Sequence, residues 1–227
     1  MQLKICNSGS SGNGYALIDR NETLLIEAGC RFIDIKKTLN FNISSIKGMC
    51  ISHSHNDHYG YFDEYDRTGI KIYRPWVDEG IIAECFGEFK VQAFSLVHDV
   101  PCYGFYITSG NERIVFATDT EYVPPKFTKV KPTTLMIECN YQDKYVSDVN
   151  VKRDRVYQTH MELATTKEFV RVNATDSLRN VVLLHLSENS AAAEEIVSEI
   201  KQVVDVDVNV VAARKGLTVD LSDWRGK

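Results

Sequence analysis

The chain has 227 residues, which is enough to bury a substantial core as one large domain or two small ones. Its hydrophobic fraction of 44% and charged fraction of 25% are ordinary for a globular protein. The sequence contains no apolar run of about 18 residues, the length needed for a membrane-spanning helix. The net charge of −5 weakens, without excluding, an interaction with nucleic acid. Met1–Lys4 lacks the layout of a signal peptide, so we expect a cytoplasmic protein without membrane partners.

Short strands and turns dominate the first part of the chain. Strands are predicted at Gln2–Ile5, Tyr15–Asp19 and Thr23–Glu27, and the last two form a hairpin. The loop at residues 6–14 contains three glycines and could cradle a phosphate through its backbone N–H groups. It lacks both the Walker lysine and the dinucleotide-binding fingerprint, so this signal is weak by itself. Arg31–Leu39 has apolar residues at helical spacing and is predicted to be a helix.

The remaining elements alternate between strands and helices. Pro75 favours a helix start, and a helix is predicted over Trp76–Phe86. The other predicted strands are Met49–Ile51, Ile70–Tyr73, Phe89–Val97, Cys102–Thr108, Arg113–Ala117, Leu135–Cys139, Val181–Leu184 and Val206–Val211. The other predicted helices begin within Tyr59–Tyr65 and cover Asn150–Tyr157, Glu162–Val172 and Ser190–Val203. No repeat or Pro/Ser-rich linker divides the chain, so we expect residues 1–227 to form a single domain.

Residues 53–58 read His-Ser-His-Asn-Asp-His, which places three imidazoles and one carboxylate in six positions. In an extended or tightly turned segment, alternate side chains share a side and adjacent ones diverge. This spacing can therefore present two pairs of ligands to two neighbouring metal ions. The alternative is a polar surface turn that is rich in histidine. The other histidines, His98, His160 and His185, argue against it, because each lies where a strand-like run ends or a helix begins.

Two acidic residues are further candidates. Asp119 follows a buried strand, where an aspartate is either a turn or capping residue or a ligand. Glu138 lies within an apolar strand and therefore needs a partner.

In order and spacing, these motifs resemble the metallo-β-lactamase superfamily and, more closely, its WalJ (YycJ) branch of nuclease-like hydrolases. The resemblance implies an α/β fold, a four-layer αβ/βα sandwich of two mixed β-sheets flanked by helices. It also implies two divalent metal ions, bridged by Asp119. The remaining ligands implied are His53, His55 and His98 for one ion, and Asp57, His58 and His185 for the other. Glu27 stands where the superfamily usually has aspartate, so contact with a ligand imidazole requires a longer side chain.

His160 and Glu138 resemble the acid–base pair of ribonuclease Z and related phosphodiesterases. The function implied is a dinuclear metal-dependent phosphodiesterase in which a metal-bridged hydroxide attacks phosphorus. Asp57 could receive the proton of the water, and His160 with Glu138 would assist the leaving group. A helix-capping or surface role is the alternative for His160. Imidazole and carboxylate ligands without thiolate suit Zn²⁺, Mn²⁺ or Fe²⁺, and we expect Zn²⁺ or Mn²⁺.

The substrate is less well defined than the metal site. The resemblance favours a DNA or RNA exonuclease, whereas an acidic chain without an obvious basic groove also suits a cyclic nucleotide. A hydrolase of thioesters, lactones or β-lactams would need neither His160 nor Glu138. A non-enzymatic, metal-stabilised interaction module is disfavoured because the motif lacks no ligand. A homodimer is one assembly compatible with the sequence.

Overall fold

The protein is described by a computed structural model that covers residues 1–146, 153–187 and 191–222. Its strands, in chain order, are β1 (Gln2–Asn7), β2 (Gly14–Asp19), β3 (Glu22–Ile26), β4 (Ile46–Cys50), β5 (Ile72–Tyr73), β6 (Ala83–Phe86), β7 (Phe89–Ser95), β8 (Tyr103–Ser109), β9 (Glu112–Ala117), β10 (Thr134–Glu138), β11 (Asn180–Leu184), β12 (Asn209–Ala212) and β13 (Thr218–Asp220). Its α-helices are α1 (Phe32–Thr38), α2 (Asn56–Tyr59), α3 (Phe62–Asp66), α4 (Arg153–Thr159), α5 (Leu163–Asn173) and α6 (Ala193–Lys201).

These strands form two mixed sheets. The first has the order β13-β1-β2-β3-β4-β5 and the second the order β12-β11-β10-β9-β8-β7-β6. Strands β3, β4 and β5 are parallel, as are β9 to β12, and the other neighbours are antiparallel. Each sheet therefore has a parallel half, whose strands end at one edge.

Alternating side chains of the strands form three buried layers. Between the sheets, residues such as Leu24 of β3 and Met136 of β10 belong to one continuous core. An adjacent residue on each strand faces outward: Leu25 packs in a cluster with α1 and α3, and Leu135 packs in a cluster with α5 and α6. Burial on both faces explains why these strands are almost entirely apolar. The predicted four-layer sandwich is confirmed.

Most of the predicted elements are confirmed, with boundaries shifted by a few residues. Residues 150–152 of one predicted helix and residue 190 of another lie outside the described residues. The short strand β13 was not predicted, because its three residues carry too little pattern. None of the helices in the described ranges has the length and apolar character needed to cross a bilayer.

The helix predicted over Trp76–Phe86 is wrong. Turns occupy residues 75–80, and Ala83–Phe86 forms strand β6, which pairs with β7 through a tight hairpin. Gly87 in that hairpin has a φ of 59°, which a glycine adopts without strain. The ring of Phe86 fills the space above Gly48, where an added Cβ would lie 1.9 Å from Phe86 Cδ1. Tertiary packing of this ring between the sheets thus outweighs the helical pattern.

In a helix, Phe86 and Ile82 would lie on one face, whereas strand β6 buries one and exposes the other. Substitutions at the two positions should therefore change the free energy of unfolding unequally. Phe86 is 1% exposed and Ile82 is 70% exposed. Phe86→Ala should lower the free energy of unfolding by about 3–5 kcal/mol, because it leaves a cavity between the sheets. Ile82→Ala should change it by less than about 0.5 kcal/mol. Equilibrium unfolding in urea measures both values, and similar losses for the two variants would contradict the strand.

Candidate metal centre

Three residues that follow strands of the parallel halves have left-handed backbone conformations. Glu27 follows β3, Asp119 follows β9 and His185 follows β11, with φ values of 68°, 51° and 54°. Residues other than glycine rarely adopt this region. Each such conformation costs about 1–3 kcal/mol and persists only where the surrounding structure holds the residue in it. All three side chains take part in the cluster described below. Three of the seven non-glycine residues with positive φ in the described ranges therefore belong to this cluster.

The first cluster contains His53, His55, His98 and Asp119, whose ligand atoms lie within 4.8 Å of one another. His53 is completely buried, and its Nδ1 lies 2.8 Å from the hydroxyl of Ser52. Its Nε2 makes no hydrogen bond of good geometry among the described residues, although it lies 3.3 Å from Asp119 Oδ2. A cation bound between this nitrogen and the carboxylate would satisfy both groups.

The ring of His98 is also held by a contact at Nδ1, which lies 3.0 Å from the carbonyl oxygen of Thr159. A carbonyl oxygen only accepts, so Nδ1 carries the proton and donates it. The lone pair is therefore on Nε2, which faces His55 Nδ1 at 3.1 Å. Two imidazoles thus approach each other through nitrogens that can ligate one ion.

The second cluster contains Asp57, His58, His185 and the same Asp119. His58 Nε2 lies 2.9 Å from Asp119 Oδ2, and His185 Nε2 lies 3.1 Å from Asp57 Oδ2. On the far side of the His58 ring, Nδ1 lies 3.4 Å from Glu27 Oε2. This distance is within ion-pair range, but His58 Nδ1 makes no hydrogen bond within the described ranges, because Glu27 accepts from the backbone N–H of Ser52 instead. His58 Nε2 is directed at Asp119.

Burial and charge act differently on the histidines of the two clusters. Burial lowers the pKa of His98 to about 4, so this imidazole is neutral and can ligate. Burial also opposes protonation of His58 and His185, but neighbouring carboxylates outweigh it. Asp119 and Glu27 hold the pKa of His58 well above its usual range, and Asp119 and Asp57 raise the pKa of His185 to about 10.

The carboxylate of Asp119 is kept ionised by the neighbouring histidines. Burial disfavours the charged form of Asp119, yet His185 and His58 hold its pKa well below the usual range. The cluster therefore concentrates buried negative charge that needs cations beside it. Its oxygen and imidazole donors suit Zn²⁺, Mn²⁺ or Fe²⁺. With Asp119 shared, each cluster offers four protein ligands, and the residues can hold a pair of divalent ions.

A third group adjoins the second cluster and contains Glu138 and His160. Glu138 is completely buried, and its Oε2 accepts hydrogen bonds from the backbone N–H groups of Thr120 and Met161. Its Oε1 lies 2.7 Å from His160 Nδ1. Burial opposes the charge on His160, but Glu138 outweighs it and raises the pKa of His160 above the ordinary value. The ring of His160 stacks on that of His185, with centroids 5.3 Å apart.

All nine residues predicted from the sequence as metal-ligating or catalytic thus lie in one place: His53, His55, Asp57, His58, His98, Asp119, Glu138, His160 and His185. Five of them line a cavity of about 380 Å³: His55, Asp57, Asp119, His160 and His185. A larger cavity of about 520 Å³ between residues 122–126 and α5 has a mainly apolar lining and contains none of the nine.

The sequence interpretation missed several residues that support the cluster. Asn13 of the glycine-rich loop lies 2.9 Å from His58 Nε2, and Asn140 lies 3.0 Å from His185 Nδ1. Asp99 and Arg155 lie at the rim of the cavity and contact each other. The position of Asp99 next to His98 was an available signal, and so was the basic stretch that contains Arg155, at residues 152–155.

Comparisons with known proteins agree with the fold. Residues 8–101 match the sequence model of the Metallo-beta-lactamase superfamily. Exodeoxyribonuclease WalJ of Streptococcus pneumoniae is 22% identical over 249 residues, covering 92% of this chain and 90% of the relative. Exodeoxyribonuclease YycJ of Bacillus anthracis is 25% identical over 154 residues, covering 57% of this chain and 58% of the relative. The metallo-beta-lactamase fold protein YhfI of Bacillus subtilis superimposes with a TM-score of 0.72 at 19% identity, covering 96% and 98% of the two chains.

The backbone beside the cluster predicts one effect on metal binding. A Cβ at Gly29 would lie 1.7 Å from the carbonyl oxygen of Asp57 and 2.6 Å from the backbone nitrogen of Asn13. Gly29→Ala should therefore displace the candidate ligand segment, residues 53–58. Metal binding should weaken at least about tenfold, as it does when a group that orients a ligand is lost. Competition with a chromogenic chelator measures the affinity.

Gly110→Ala is the matched control, because Gly110 has a φ of 55° but open space around its Cβ. It should cost stability through its backbone alone and leave the metal affinity unchanged. Equal affinities of the wild type and Gly29→Ala would contradict the proposed ligand segment.

Proposed function

Because this chain is a metallo-β-lactamase-fold protein that resembles the WalJ and YycJ exodeoxyribonucleases, we propose that it is a dinuclear metal-dependent phosphodiesterase. In this proposal, His53, His55 and His98 hold one ion, Asp57, His58 and His185 hold the other, and Asp119 is shared. Residues 1–227 act as one catalytic domain. The proposed substrate is DNA, in keeping with the names of both relatives.

The observation that supports phosphodiesterase chemistry most directly is the contact between Glu138 and His160. Glu138 Oε1 and His160 Nδ1 are 2.7 Å apart, and the pair lies beside the candidate ligands. The side chain of His160 is 19% exposed and lines the cavity. A metal site that only stabilised the fold would not need an ionised pair directed at its open side. Cleavage of a phosphodiester does need one, because the departing alkoxide requires a proton.

The two ions, when bound, supply Lewis acidity and a water nucleophile at neutral pH. The protein residues divide the remaining work. Glu138 Oε1 accepts the Nδ1–H of His160, which fixes the ring and leaves Nε2 available to protonate the leaving oxygen. Asp57 lines the cavity and would accept the proton of the attacking water. Burial opposes the charge on Asp57, but His185 and His58 lower its pKa, so it is ionised at neutral pH and would release the accepted proton to the solvent of the cavity.

This division of labour predicts that His160→Ala keeps its metal and loses turnover. Cleavage of end-labelled single-stranded DNA should fall about 10²–10⁴-fold, the usual contribution of a general acid. The loss should be smaller with bis(p-nitrophenyl) phosphate, because p-nitrophenolate leaves without a proton. Bound metal is measured by elemental analysis of the same samples.

Glu168→Gln, on the exposed face of α5, is the control and should behave as the wild type. A His160→Ala variant that retains its metal and cleaves DNA at the wild-type rate would remove His160 from the mechanism.

A further inference from the structure

Arg155 of α4 is the one lysine or arginine among the described residues that line the cavity of the metal centre. Its Nε and Nη2 lie 3.3 and 3.2 Å from the same oxygen, Oδ2, of Asp99. The side chains of Arg155 and Asp99 are 60% and 38% exposed. The pair therefore stands at the rim of the cavity, in contact with solvent.

The other oxygen of Asp99 faces inward. Asp99 Oδ1 lies 3.2 Å from His55 Nε2 and 3.2 Å from His98 Nε2, two of the candidate ligands. A single carboxylate thus separates the guanidinium of Arg155 from the first cluster. This places Arg155 beside the reacting position, and not within it.

The backbone that carries Arg155 is fixed while the side chain is free to exchange partners. At the end of α4, the carbonyl oxygen of Thr159 accepts the hydrogen bond from His98, and Tyr157 donates to Asp143 at 2.6 Å. Exposed ion pairs contribute little to stability, so release from Asp99 costs little. Both guanidinium contacts also use one oxygen, so the two-pronged geometry that matches a phosphate is not satisfied by Asp99.

We propose that Arg155 is a substrate-positioning residue that leaves Asp99 to bind the phosphate next to the reacting one. The inference rests on the proposed phosphodiesterase function and adds a residue that distinguishes a strand from a compact diester. An oligonucleotide offers a second phosphate at the rim, whereas a cyclic mononucleotide or a simple diester offers none. Arg155 therefore selects a polynucleotide strand over a compact diester.

The test compares Arg155→Gln with Arg171→Gln. Arg171 is a matched control, because its side chain is as exposed as that of Arg155 and pairs with Glu168 on α5, away from the lining of the cavity. Each protein is assayed with a labelled single-stranded oligonucleotide and with bis(p-nitrophenyl) phosphate over a series of salt concentrations. Binding of the oligonucleotide is measured in parallel by fluorescence anisotropy.

For Arg155→Gln, kcat/KM should fall at least about tenfold further with the oligonucleotide than with the simple diester, chiefly through KM. The slope of log affinity against log salt should become shallower by about 0.7, the value for one lost phosphate contact on a single strand. Arg171→Gln should match the wild type in both respects. Equal losses on the two substrates, or an unchanged salt slope, would overturn the inference.

Failure of the two proposals can be told apart. If the wild type with metal hydrolyses neither substrate, the proposed function fails. Anisotropy then still decides the role of Arg155: weaker binding with a shallower salt slope supports the phosphate contact, and unchanged binding contradicts it.

Discussion

The structure depends on the burial of Asp119 among imidazoles at the open edge between two sheets. Its side chain is almost completely enclosed, and its carboxylate lies 3.3 Å from His53, 2.9 Å from His58 and 3.2 Å from His185. Such a charge is costly to bury unless cations surround it. Protons on His58 and His185 can compensate part of this charge, and divalent ions compensate it more completely. The arrangement of strands, the strained backbone and the surrounding hydrogen bonds all serve to hold this carboxylate in place.

The four-layer architecture explains how distant parts of the chain reach one point. β3 and β4 of the first sheet, and β9, β10 and β11 of the second, precede site residues at their carboxyl ends. The packed cores on both faces of each sheet hold these ends rigidly, so left-handed residues such as Glu27 and His185 can be tolerated. Rigidity is what a metal centre requires, because small displacements of a ligand weaken binding.

Local chemistry determined what could be predicted from the sequence. The motif at residues 53–58 is readable because neighbouring positions supply its ligands, and His98, Asp119 and His185 follow apolar strands that mark them. Allotting these residues to two ions required the resemblance, since separation along the chain does not give distance in space. Arg155 was not assigned to the site because a basic stretch is usually a solvated surface, and its placement follows only from its contact with Asp99, 56 residues away. The helix predicted over Trp76–Phe86 failed for the related reason that the packing partner of Phe86 lies at Gly48, in the other sheet.

The most direct test of the account is anomalous X-ray diffraction from crystals grown with Zn²⁺ or Mn²⁺, with data collected on both sides of the metal absorption edge. A dinuclear centre should give two anomalous peaks about 3.5–4 Å apart, the usual separation of a two-metal site. One peak should lie against His53, His55 and His98, the other against Asp57, His58 and His185, with Asp119 between them. A cleft without anomalous density, or with a single ion that does not contact Asp119, would contradict it.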